Sequence, residues 1–342
     1  MKRIKWLIIG FVFIVLGILT AIGGFYYFVQ KPNTIVKDSG VLIIQTEDSF
    51  EAVLQLLQQK GYLINSYTFC KVAKLKKYPQ LVKAGRYRIK NGMNNNELVN
   101  LLRSGQQEAV RFTFNNLRSL EELAAIVYQQ LDVDSLAFLN LVRNPEYVNN
   151  LGFTLETIRG MFIPNTYQIF WQPKPEELVK RMQTEYKKFW NETRIQKAQK
   201  ANLSPMDVII LASIVEEETN QIEEFPIIAG VYINRLKKGW KLEACPTLKY
   251  ALGDFTLKRI LTKHMEIDSP YNTYKYTGLP PGPVRIPSIQ VIDAVLNYTN
   301  HDYLFFCAKS DFSGKHHFSK TLREHNRQAA LYHQALNKNK IY

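Results

Sequence analysis

Cysteine is scarce: Cys70, Cys245 and Cys307 lie far apart in a chain of 342 residues, and no C-x-x-C pair occurs. This excludes a zinc ribbon or a dense disulfide framework. One disulfide could form in an oxidising compartment, but the odd number leaves a thiol over, so buried, inert cysteines are expected for at least two. Acidic residues are also in deficit, 30 against 44 Lys and Arg, giving a formal net charge of +14. Nucleic acid is the usual partner of so basic a chain. Here, however, the cations are spread through stretches such as KVAKLKKYPQLVKAGRYRIK, and no basic helix with interleaved aromatics stands out. No repeat of solenoid period is present. His316 and His317 are adjacent, so in a strand they point to opposite faces, and no third ligand follows at metal spacing. Neither metal nor cofactor is expected.

Charge is absent from Trp6 to Val29, after Lys2, Arg3 and Lys5. A bilayer needs about 20 apolar residues, whereas a signal peptide has an apolar core of only about 7 to 15. No small-x-small cleavage site precedes Lys31, so an uncleaved membrane anchor over 6–29 is expected. Trp6 and the Phe25-Tyr26-Tyr27-Phe28 run would form its aromatic belts, and residues 1–5 would stay cytoplasmic by the positive-inside rule. The rest of the chain would then be extracytoplasmic, on a single-pass protein of the cytoplasmic membrane. That location sets nucleic acid aside and favours anionic headgroups or an acidic cell-wall polymer as partners of the basic surface.

Beyond the anchor, the hydrophobic spacing predicts an α+β fold. VLIIQT reads as a strand, and Asp48 or Ser49 caps a helix that stops at Gly61. Tyr87 and Ile89 mark another strand, and Asn95 or Asn96 caps a helix ending at Gly105. The pattern over 40–108 resembles a LysM-like module. From 109 to 342 the chain is helix-rich: Ser119 and Glu122 form an S-x-x-E capping box, Pro175–Trp190 is helical, and Ser204 opens a helix to about Thr219.

This last helix ends in LASIVEEETN, with Glu216, Glu217 and Glu218 in succession. At about 100° per residue, Glu218 continues the stripe of Leu211, Ile214 and Val215. Glu216 and Glu217 fall toward Ser213, where water can reach them. Burial, the negative helix end and two neighbouring carboxylates would all raise the Glu218 pKa, as a general acid requires. The competing reading pairs Glu218 with a cation such as Arg235.

The same residues carry a resemblance. ASIVEEETN is similar to the ASIVEKE-T motif of the YceG-like (MltG) family, membrane-anchored endolytic murein transglycosylases, in which the glutamate before the threonine is catalytic. GVYINRLKKGWKLEACPTLKYALG, DSPYNTYKYTGLPPGPVRIPS, HHFSKTLREHN and GMFIPNTYQI resemble further family blocks in the family's order. Arg159 stands where the family usually has Glu, Asn165 where it has Asp, and Ala244-Cys245 where it has Ser-Asp.

The resemblance implies cleavage of the β-1,4 bond between N-acetylmuramic acid and N-acetylglucosamine without water, leaving 1,6-anhydro ends that terminate nascent strands at the membrane. Glu218 would be acid and then base. Asn234, Arg235, Tyr271, Asn272, Thr273, Ser319 and Glu324 would position substrate; SPYNTY is equally a well-made turn. Peptidoglycan strands are the implied partner, with peptidoglycan synthases as candidates beside them. Two alternatives stay open: a non-catalytic, membrane-tethered wall-binding protein, and a hydrolase pairing Glu218 with Glu216 or Asp268.

Overall fold

The computed structural model of the protein describes residues 2–257 and 260–339. The chain divides into two compact units, Met1–Arg111 with Gln168–Pro173, and Phe112–Tyr167 with Lys174–Tyr342. Both mix helices with small sheets, as the sequence predicts.

The first unit begins with α1 (Lys2–Phe25), which continues as a π-helical turn, Tyr26–Gln30. The span Lys5–Gln30 is long and apolar enough to cross a membrane, and its most apolar stretch is not buried against the rest of the chain. Next come β1 (Val41–Ile44), α2 (Phe50–Gln59), α3 (Ser66–Leu75), β2 (Gly85–Arg88) and α4 (Asn95–Ser104). β1 and β2 pair antiparallel, setting Leu42 opposite Tyr87. Both are fully buried, with Phe50, Phe69 and Leu98 in the same core. Ser49 caps α2 as expected, and Gly105 ends α4 in the left-handed conformation that glycine adopts at least cost. The α4 cap is neither Asn95 nor Asn96. Asn94 forms a capping box with Glu97, while Asn95 is fully buried and donates to the Phe28 carbonyl and the Thr68 hydroxyl. Three successive asparagines are locally equivalent caps, and tertiary partners choose among them.

After β3 (Val110–Phe114), the second unit carries α5 (Leu120–Gln130), α6 (Ser135–Val142), α7 (Pro145–Asn150), β4 (Asn165–Ile169), α8 (Pro175–Phe189), α9 (Glu192–Lys200) and α10 (Pro205–Glu218). It continues with α11 (Phe225–Lys237), α12 (Cys245–Leu252), α13 (Thr262–Met265), α14 (Ile289–Leu296), β5 (Phe305–Ala308), β6 (His316–Ser319) and α15 (Leu322–Lys338). β3 and β4 form one two-stranded sheet, β5 and β6 another. Ser119 caps α5, but Glu122 accepts from the Arg118 N–H rather than completing the box.

The core of this unit surrounds α10, which packs against α11, α12 and α14. Ser204 and Asp207 close a full capping box around Pro205. Every residue from Val208 to Val215 is buried. Each large aliphatic among them contributes about 1.5 to 3 kcal/mol by leaving water, so the end of this helix is held rigidly. Ser213 belongs to that core and offers no wet side: its hydroxyl donates to the Ile210 carbonyl and accepts the Val284 N–H.

Candidate active site

The three carboxylates at the end of α10 separate by environment. Arg285 lies 3.4 Å from Glu216 and 2.7 Å from Glu217. Glu216 also accepts from the Ser288 N–H and the Asn116 amide, and Glu217 takes a second cation, Arg118, at 3.2 Å. Their side chains are only 8 % and 12 % exposed. Glu216 and Glu217 are therefore not the solvated neighbours that helix phase suggested. They are paired because the chain at Arg285 passes beside the helix end, which no local pattern announces.

Among the described residues Glu218 has no ion pair, and the expected alternative partner, Arg235, is committed elsewhere. Arg235 is buried against the Leu304, Lys241 and Leu242 carbonyls and binds Glu243 at 2.9 Å. The direct partner of Glu218 is the Tyr232 hydroxyl, which donates to Oε1 at 2.6 Å from α11. Burial drives the Glu218 pKa up to about 7, against the Tyr232 hydrogen bond and the Lys249 charge, which favour the ionised form; the Glu217 charge adds a smaller upward push. The side chain lies deep beneath its neighbours, yet part of its surface opens into a cavity of about 380 Å³. Tyr232, Arg235, Cys245, Tyr274, Phe306 and His316 line that space with it. A second cleft of about 600 Å³ shares Arg235, Glu243 and Phe305 and adds Trp240 and Lys320. The two spaces border on these shared walls and together are the candidate groove, with an aromatic surface where the Trp240 and Phe305 rings lie 6.2 Å apart.

Thr219, next after Glu218, is locked in place. Its hydroxyl donates to Glu224, which is buried and also accepts from the His316 backbone and ring. Glu243 adopts a left-handed φ of 53°, a conformation that costs a non-glycine residue of order 1 kcal/mol. It thereby holds its carboxylate on Arg235.

Of the eight residues expected at the site, the groove contains Glu218 and Arg235. Asn234 ties the His301 and Tyr303 carbonyls, and the Tyr271 ring packs on that of Tyr250 at a tilt of 45°, centroids 4.5 Å apart. Asn272 is fully buried, its amide bonding the Met265 and Ile267 carbonyls, while Thr273 clips the Ala244 N–H and Thr247. Ser319 is buried in β6, and Glu324 helps form the start of α15. In SPYNTY these polar groups satisfy backbone, as a well-made turn requires. Tyr232, Tyr274, Phe306 and His316 were missed; only the spacing of Tyr232, one helix after Glu218, hints at a role. His316 and His317 face different partners, Glu224 and Glu324. Among the described residues no His, Cys, Asp or Glu cluster could hold a metal.

The departures are accommodated. Arg159 binds the Pro283 carbonyl and lies over the Tyr250 ring, and Asn165 accepts the Thr166 N–H. Cys245 contacts Tyr274 at 3.2 Å, and burial, then the nearby Glu218 charge, pushes its thiol pKa up. All three cysteines are free and half-buried. A thiol so shifted is mostly protonated at neutral pH and inert.

Known proteins share this chain's pattern. The YceG-like family pattern matches residues 42–331. A Bacillus subtilis protein named endolytic murein transglycosylase is 32% identical over 91% of this chain and 90% of its own length. A Streptococcus pneumoniae protein of the same name is 28% identical over 96% of this chain and 65% of its own. In structure, a YceG-like protein from Listeria monocytogenes matches with a TM-score of 0.55 at 27% identity, over 84% of this chain and 97% of its own. With the pattern extending through both units, the chain belongs to the YceG-like family.

Proposed function

We propose that this protein is a membrane-anchored endolytic murein transglycosylase, cutting the MurNAc–GlcNAc β-1,4 bond of peptidoglycan without water. The observation that carries the reading is Glu218, without an ion pair among the described residues and with a pKa near 7, opening into a groove. The names of the relatives agree with it. Protonated Glu218 gives its proton to the glycosidic oxygen as the bond to the anomeric carbon breaks. The carboxylate then takes the proton of the muramic acid 6-hydroxyl as that oxygen bonds the same carbon. The acid is restored, and the product ends in a 1,6-anhydro ring.

One carboxyl suffices for this cycle, whereas a hydrolase needs two, about 5 to 9.5 Å apart. Neither Glu216 nor Asp268 is suited to be the second. Glu216 is bound by Arg285, and Asp268 is an exposed partner of Lys275 and Tyr276 outside the lining. Glu243 does line the groove but is engaged by Arg235. Arg235 itself, walled in by carbonyls, shapes the groove and keeps Glu243 away from the proton cycle.

On this reading residues 1–5 lie in the cytoplasm and both folded units outside, beside the synthases that would supply strands. The compact unit at 40–108 serves as a LysM-like wall-binding module. The test is the mass spectrum of muropeptides released from purified peptidoglycan. Anhydro ends are expected; reducing ends, heavier by one water, would indicate hydrolysis, and no release would leave only a binder.

A further inference from the structure

We propose that the outer face of α3 rests on the membrane surface and binds anionic phospholipid headgroups; this rests on Lys5–Gln30 crossing the membrane. Ile64, just before α3, and Tyr67 and Leu75 within it are 62 %, 61 % and 79 % exposed. Such exposure is unusual for three large apolar side chains grouped on one short element. With Tyr67, Lys71, Lys74 and Leu75 follow at four, seven and eight positions, one face of a helix. Lys71 lies over the Tyr67 ring at 5.3 Å. The opposite face, Phe69, Val72 and Ala73, is in the core. An apolar and aromatic stripe flanked by lysines is the composition of a helix lying in a bilayer interface.

The depth of this face is set by its contacts. The Phe28 ring lies 6.1 Å from that of Tyr67, and the Asn65 amide donates to the Tyr27 hydroxyl at 3.3 Å. Asn95 of α4 holds the Phe28 carbonyl, and Asn94 reaches Gln30. Tyr27 and Phe28 occupy the last turn of the apolar span, where aromatic belts sit at headgroup level. Because α3 packs directly on that turn, its start is at the same level. Lys31, stacked over Tyr27, adds a cation at the junction. A small notch of about 110 Å³ there is lined by Tyr27, Lys31, Ile64, Asn65 and Thr68. The small unit is thus seated on the bilayer, with its cations against anionic headgroups, rather than swinging on a free tether.

The test uses the full chain in vesicles of phosphatidylglycerol and phosphatidylethanolamine carrying a photoactivatable diazirine phospholipid, with adducts mapped by mass spectrometry. Adducts are expected on 62–77 as well as on 5–30. Lys71→Glu with Lys74→Glu should lower the 62–77 yield at least threefold and leave that of 5–30 unchanged. Phosphatidylcholine vesicles should lower it likewise. Adducts confined to 5–30 would overturn the α3 surface while leaving the span intact; adducts on neither would overturn both.

Discussion

The last turn of α10 has two sides, and the protein treats their carboxylates in opposite ways. On one, Glu216 and Glu217 share Arg285, with Arg118 beyond it. On the other, Glu218 is buried with a neutral tyrosine as its nearest partner. Arg285 lies within ion-pair distance of both carboxylates on the first side, whereas at Glu218 the Lys249 charge offsets burial only in part. A carboxyl suited to shuttle a proton is one whose burial no ion pair offsets. Arg235 offers none: it lines the same cavity, yet its guanidinium is consumed by carbonyls and Glu243.

Removing the shuttle should have the largest effect. Glu218→Gln is expected to cut peptidoglycan release at least 1,000-fold, toward the upper end of what a general acid–base contributes, roughly 10²- to 10⁴-fold. The sign of its stability effect is fixed by the raised pKa. With a folded value of about 7 against 4.5 unfolded, the protonated carboxyl's stabilising contribution is complete below pH 4.5 and lost as pH rises to 7. Glu218→Gln should therefore be more stable than the native protein above pH 7, by at most about 3 kcal/mol, in thermal melts across pH.

Breaking the paired side should instead damage the fold. Arg285→Met leaves two largely buried carboxylates without their shared cation, and a loss of roughly 3 kcal/mol is expected, read as a fall in Tm. If Arg285→Met melts normally, the contrast between the two sides collapses. Tyr232→Phe should be milder, lowering activity about tenfold. The lost hydrogen bond favoured the ionised acid, so the alkaline limb of the pH–rate profile should move above 7. Cys245→Asp, restoring the family's usual residue, sets a like charge near Glu218. A smaller shift in the same direction is expected; a downward shift would show that the two side chains do not sense each other.

How much of the fold and the site is legible in the sequence depends on the range of the interaction. Caps, helix ends and the position of Glu218 follow from spacing within one helix, and Ser204, Asp207 and Gly105 behave as their types require. The apolar span is legible because membrane thickness is a length the chain must match. The arginine shared by Glu216 and Glu217 lies about 70 residues along the chain, and Tyr232 faces Glu218 only because α11 folds back on α10. Asn272 and Thr273 are ambiguous for a related reason: a buried turn needs polar side chains for its own backbone, and from sequence that need resembles substrate binding. α3 was not expected, and its packing on the π-helical turn is a contact no local pattern announces.

The central claim is that one carboxyl, and not its neighbours, cycles the proton. Its most direct test is a side-by-side digest of purified peptidoglycan with the native protein, Glu218→Gln and Glu217→Gln, each first shown to be folded. Native protein and Glu217→Gln should release anhydro-ended muropeptides while Glu218→Gln releases none. Normal release by Glu218→Gln, or reducing ends from the native protein, would contradict the account.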